Sequence, residues 1–73
     1  MEKVKILWID DEIKLLKPHI LFLERKGYKI FTINNGNDAI DFIKKIKIDI
    51  IFLDENMPGL SGLDTLSIIS QII

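Results

Sequence analysis

Cysteine is absent from this chain of 73 residues, so neither a disulfide nor a thiolate metal site can form. An excess of basic charge is lacking too: ten Lys and Arg are scattered among eleven Asp and Glu, for a formal net charge of −1. No basic stripe neutralises nucleic-acid phosphates, and direct nucleic-acid binding is not expected. Long apolar runs are missing as well. The opening segment MEKVKILWIDDE has an apolar core too short and too acid-flanked for a signal peptide. No uninterrupted apolar run approaches the roughly 18 residues of a spanning helix. A cytoplasmic location without membrane contact is the resulting expectation. Repeats, low-complexity tracts and linkers are likewise absent, which leaves room for one domain at most. A chain this short buries only about 60% of its unfolded surface, so its stability should be marginal.

What is present is an alternation of β-rich runs with helical patterns, which indicates an α/β fold. The runs VKILWI (4–9), YKIFTI (28–33) and IDIIFL (48–53) are mostly apolar at both alternating sets of positions, as in parallel strands covered by helices. Between the first two, Ile13, Leu16, Ile20 and Leu23 recur at helical spacing, and Gly27 stops the pattern. Pro18 lies inside it and should bend this helix or confine its regular part to one side. A second helix is expected over 36–45. Asn35 and Asp38 stand at capping spacing, and Lys44 and Lys45 suit the negative end of the helix dipole. A third helix begins near Ser61, whose hydroxyl can cap it, and runs through Leu63, Leu66 and Ile69 to Ile73 with no stop signal.

Right-handed βαβ crossovers carry all strand C-termini to one edge of the sheet, where open α/β folds bind ligands. Asp54 ends the third strand and Asp10 and Asp11 follow the first, so three carboxylates should converge there. Two carboxylates about 5 Å apart repel by roughly 3 kcal/mol at an effective dielectric near 20. A hard divalent cation relieves this, and oxygen-only ligands favour Mg²⁺ over Zn²⁺. With the cation bound, an oxygen of Asp54 could attack a phosphoryl group and become an aspartyl-phosphate.

ILWIDDE and IIFLDENMPGLSG resemble the two signatures of the response-regulator receiver domain of two-component signalling, and the resemblance covers all 73 residues. The wording of DENMPGLSG is most similar to Bacteroidota regulators that join this domain to a larger C-terminal effector. The resemblance implies a truncated flavodoxin-like, or CheY-like, fold with parallel strands in the order 2-1-3, the full order being 2-1-3-4-5. It implies that Asp54 is the phosphoacceptor for a sensor histidine kinase. It also implies that Asp11 binds Mg²⁺ directly, that Asp10 helps through water or a second contact, and that Asn56 gives its backbone carbonyl to the metal. The Asn56 side chain would lie over the phosphoryl group and influence its hydrolysis. Met57, Pro58 and Gly59 would shape the turn, and Gly62 would let the backbone pass tightly beside the third helix.

A complete receiver has roughly 120 residues, so residues 1–73 are expected to hold its first three βα units. The last two strands, with the hydroxyl residue and lysine that contact the phosphoryl oxygens, would be missing. The third strand should then be a free edge prone to self-association, and Leu15 and Phe22 should face water.

Blander readings stand beside these. His19 on the first helix is most simply a surface or packing residue, and Trp8 is most simply core. An ATPase could use IIFLDE to hold Mg²⁺, but none of the four glycines belongs to a phosphate-binding G-x-x-x-x-G-K-[ST] loop. An aspartate-nucleophile phosphatase needs an acid two residues after its nucleophile, and Asn56 cannot shuttle that proton. A truncated receiver remnant without function is the third alternative.

Overall fold

A computed structural model describes residues 3–57 and 59–72 of the chain. The readings made for Pro58 and Ile73 fall outside them. Strand β1 (Lys5–Ile9) leads through a 3-10 turn (Ile13–Leu16) into helix α1 (Lys17–Arg25). β2 (Lys29–Ile33), α2 (Gly36–Lys45), β3 (Ile50–Leu53) and α3 (Gly62–Ile72) follow. The sheet is parallel in the order β2-β1-β3, as expected from the sequence.

Local chemistry accounts for the boundaries. Pro18 occupies the first turn of α1, where its missing N–H has no partner to lose, and the segment before it winds into the tighter 3-10 form. The regular helix is thus confined to one side of the proline. α1 closes on Gly27 at φ +99°, with Gly27 N–H donating to Glu24 C=O at 3.0 Å and Tyr28 N–H to Leu23 C=O at 3.2 Å. These are the two bonds of a Schellman cap, which needs a left-handed residue. At α2 the Asn35 side chain accepts from the Asp38 N–H at 2.8 Å, and the Asp38 carboxylate accepts from Asn35 Nδ2 at 2.9 Å. The pairing satisfies one of the otherwise free amides at the helix start.

The main core lies on one face of the sheet, where Leu7 and Ile9 of β1 pack with Ala39, Ile40 and Ile43 of α2, Met57, and Ile69 of α3. Successive side chains alternate between faces, so Ile6, Trp8, Ile30 and Phe52 turn the other way. There α1 packs against β2, and the stripe of Ile13 and Leu16 on the 3-10 turn with Ile20 and Leu23 on α1 is half-buried, as the spacing predicts. Leu15 and Phe22 face water.

Helix α3 forms where the sequence places it; Leu63 and Leu66 are exposed on it, and Gly62, Thr65 and Ile69 face inward. The reason is close packing of α3 on α2. A Cβ at Gly36 would overlap Thr65 Oγ1 and stand 3.1 Å from Leu60 Cβ, so small groups have to meet at this contact.

Candidate functional site

The site is assembled by two backbone bonds at the carboxyl ends of the strands. Asp10 N–H donates to Ile33 C=O at 3.0 Å, and Asp54 N–H donates to Ile9 C=O at 2.9 Å. Both aspartates therefore continue the ladder by one bond before the chain turns away. This puts their side chains at one sheet edge with Asp11 beside them. One carboxylate oxygen from each of Asp10, Asp11 and Asp54 lies within 4.8 Å of the others. Asp10 and Asp54 are half-buried and Asp11 is exposed.

Two of the three are held by the next turn. Asp10 Oδ1 accepts from the Glu12 N–H at 2.8 Å, and Asp54 Oδ1 accepts from the Asn56 N–H at 3.3 Å. Both bonds run two residues along the chain, fixing each carboxylate at its strand end while leaving its other oxygen free for a further partner. Oxygens around an octahedral Mg²⁺ ion lie about 3 Å apart when adjacent and about 4 Å apart when opposite, so these carboxylates would draw together slightly around the ion. An all-oxygen set of three negative groups suits a hard cation, so the residues present fit the metal that the sequence suggests. Asn56 is exposed beside Asp54. His19 is exposed on α1 and is not among the residues that converge. Trp8 is half-buried and meets Phe52 edge-on, with ring centroids 5.0 Å apart, on the face opposite Leu7 and Ile9.

Glu55 has a role that sequence spacing did not reveal. Its backbone carbonyl accepts from the Gly62 N–H at 3.1 Å, and its carboxylate accepts from the Leu63 N–H at 2.9 Å. The residue after Asp54 thus closes the turn and caps α3, favoured by the positive end of the helix dipole. Met57 is buried beneath this turn, and Gly59 takes a positive φ of 78°. Glu55 lies eight residues before Leu63. A search for caps adjacent to a helix start does not reach that far.

Comparison with known proteins agrees with this geometry. Residues 6–72 match the family described as the response regulator receiver domain. The chain is 38% identical over 66 residues to the uncharacterized transcriptional regulatory protein YkoG of Bacillus subtilis, a match covering 90% of this chain and 29% of YkoG. It superposes with TM-score 0.86 and 33% identity on the response regulator TrrA of Thermotoga maritima, solved in complex with Mg²⁺-BeF, covering 94% of this chain and 60% of that one. A similar match, with TM-score 0.85 and 34% identity over 93% of this chain and 59% of the other, is to TrrA solved in complex with the histidine kinase ThkA. The chain therefore spans under a third of YkoG and somewhat over half of the TrrA chains. Among the described residues, no helix is long and apolar enough to cross a membrane.

Proposed function

Because the chain belongs to the response regulator receiver domain family, we propose that it is the phosphoacceptor part of a two-component signalling switch, with Asp54 taking the phosphoryl group from a sensor histidine kinase. The observation that carries this is the convergence of Asp10, Asp11 and Asp54 at the strand edge. An Asp54 oxygen attacks phosphorus, the bond from phosphorus to the donor atom breaks, and the donor leaves with the electron pair. Asp10, Asp11, Asp54 and the Asn56 carbonyl are the residues that would hold Mg²⁺. When bound, the ion supplies positive charge to the phosphoryl oxygens. The capped turn at Glu55 keeps the acceptor strand end and α3 in a fixed relation.

Asn56 separates this reading from turnover catalysis. An amide two residues after the acceptor cannot act as general acid or base, so the chain would assist only its own phosphorylation and dephosphorylation. The likeness to TrrA, which was solved with a histidine kinase, supports a kinase as partner. The larger size of YkoG supports a C-terminal effector as output. Residues 1–73 would then be the first three βα units of a cytoplasmic receiver.

The test is incubation with Mg²⁺ and acetyl phosphate followed by peptide mass mapping, with beryllofluoride, which binds without transferring phosphorus, read separately as stabilisation against urea. A phosphoryl adduct on the Asp54 peptide, absent in Asp54→Asn, supports the assignment. An adduct that survives in Asp54→Asn overturns it, and no adduct under any condition favours a remnant without function.

A further inference from the structure

β2 has a free edge that no described strand covers, and an open groove of about 1020 Å³ lies at its carboxyl-terminal end. Thr32 and Ile33 form its floor. One wall is the 3-10 turn, presenting Leu15, and the other is α2, presenting Phe42. Each wall also carries acid: Asp11 and Glu12 on the first, Asp38 and Asp41 on the second. With Asp11 committed to the cation, the three carboxylates of Glu12, Asp38 and Asp41 still outnumber the two ammonium groups of Lys14 and Lys45. An apolar groove with negative walls is complementary to a ligand that is both apolar and cationic.

The strand register shows what the floor offers. Lys29 N–H donates to Val4 C=O at 2.9 Å, and Asp10 N–H donates to Ile33 C=O at 3.0 Å. A parallel ladder uses both backbone groups of alternate residues, so Lys29, Phe31 and Ile33 turn theirs toward β1. Ile30 and Thr32 turn theirs outward. In the strand order of the complete fold β2 remains outermost, so further strands would not cover this edge.

We propose that the groove binds an extended segment of a partner protein, with basic and apolar residues in alternating pairs so that each wall meets both kinds, which adds as a fourth strand beside β2. Its backbone pairs with Ile30 and Thr32, and its side chains alternate between the two walls. Apolar side chains meet Leu15 and Phe42, while lysine or arginine reaches the carboxylates. The acidic walls disfavour a nucleic-acid backbone. A second copy of this chain is a poor occupant, because of its two edge strands Ile50–Leu53 contains no basic residue and Lys29–Ile33 contains only Lys29. The proposal rests on the groove and the strand edge and does not depend on phosphorylation of Asp54.

The experiment titrates a capped peptide of repeating Lys-Lys-Val-Val, which presents both residue types to each wall, into the ¹⁵N-labelled full chain. A peptide of repeating Glu-Glu-Val-Val is the charge control. Binding should move the amide resonances of Ile30, Thr32 and Asn34, and the glutamate peptide should leave them in place. Thr32→Pro removes an outward donor while leaving the ladder to β1 intact, and Asp41→Lys inverts one exposed charge on the α2 wall. Each should weaken binding about tenfold, with circular dichroism checking that helix content is retained. Absence of shifts at these amides overturns the proposal, as does equal binding of the glutamate peptide. Unchanged affinity in Asp41→Lys also overturns it, whatever the fate of the proline variant.

Discussion

Gly62 stands against the backbone of Asp54 with no space for a side chain. A Cβ at Gly62 would collide with the Asp54 carbonyl oxygen and lie 2.8 Å from Glu55 Cα. The start of α3 and the end of β3 are therefore in backbone contact, and the Gly62 N–H bond to Glu55 C=O holds them there. This relation ties the position of Asp54 to the position of a helix.

Gly62→Ala is accordingly predicted to destabilise the fold by about 1 to 3 kcal/mol, the range for overpacking a filled site, although alanine is the better helix former. Urea unfolding compared with wild type measures it. Because the displaced atoms belong to Asp54 and Glu55, the same variant should lower beryllofluoride-dependent stabilisation more than an alanine at exposed Ser67 does. Equal stability of Gly62→Ala and wild type would show that the turn yields freely.

Thr65 offers the opposite sign. Its side chain is fully buried, and Oγ1 has no hydrogen-bond partner at the contact with Gly36. A buried hydroxyl left unpaired costs about 1 to 3 kcal/mol, and valine has nearly the same shape without that group. Thr65→Val is predicted to raise stability by about 1 kcal/mol, read as a higher urea midpoint at unchanged slope. A lower midpoint would mean that the hydroxyl finds a partner in solution.

Much of this architecture was legible in the sequence because its signals are local. Pro18, Gly27 and Asn35 mark helix ends through chemistry confined to a few neighbouring residues. The meeting of Asp10, Asp11 and Asp54 follows from strand ends and crossover handedness. What was not legible is tertiary. α3 carries Leu63, Leu66, Ile68, Ile69 and Ile72 around its circumference, so periodicity alone selects no unique face. The buried side was decided by Gly36 and Thr65, whose proximity depends on how two helices pack. The strand runs also begin one or two residues before the observed β1, β2 and β3, since apolar composition continues beyond the ladder.

Asp11 gives a prediction about the cluster charge. Its carboxylate is exposed and lies with those of Asp10 and Asp54. Without divalent cations, Asp11→Asn removes mutual repulsion and should stabilise slightly, by less than about 1 kcal/mol in this exposed setting. With Mg²⁺ added, wild type should gain stability by mass action and the variant should gain less. Thermal unfolding with EDTA and with Mg²⁺ distinguishes the four cases. An equal Mg²⁺ response in both proteins would remove Asp11 from the set of ligands.

The third strand sets the last prediction, which concerns the association of this chain with itself. β3 is the other free edge of the sheet, and the Asp54 N–H bond to Ile9 C=O directs alternate backbone groups toward β1. Those of Ile51 and Leu53 are left pointing outward. Beside this edge Ile50 is 40% and Phe52 37% exposed, while Leu15 is 70% and Phe22 59% exposed on the α1 side of the fold. Each large side chain left in water forgoes roughly 1.5 to 3 kcal/mol of burial. A domain's whole stability is only about 5 to 15 kcal/mol, so several such losses leave the 73-residue chain loosely folded or driven to pair with another copy through β3. Light scattering should show mass rising with concentration, and Ile50→Lys should shift the population toward monomer. Trp8 lies edge-on to Phe52, so its fluorescence reports on this patch during urea unfolding. A monodisperse monomer with a sharp, concentration-independent transition at Trp8 would show that the three-stranded sheet closes its own core and that the β3 edge is inert.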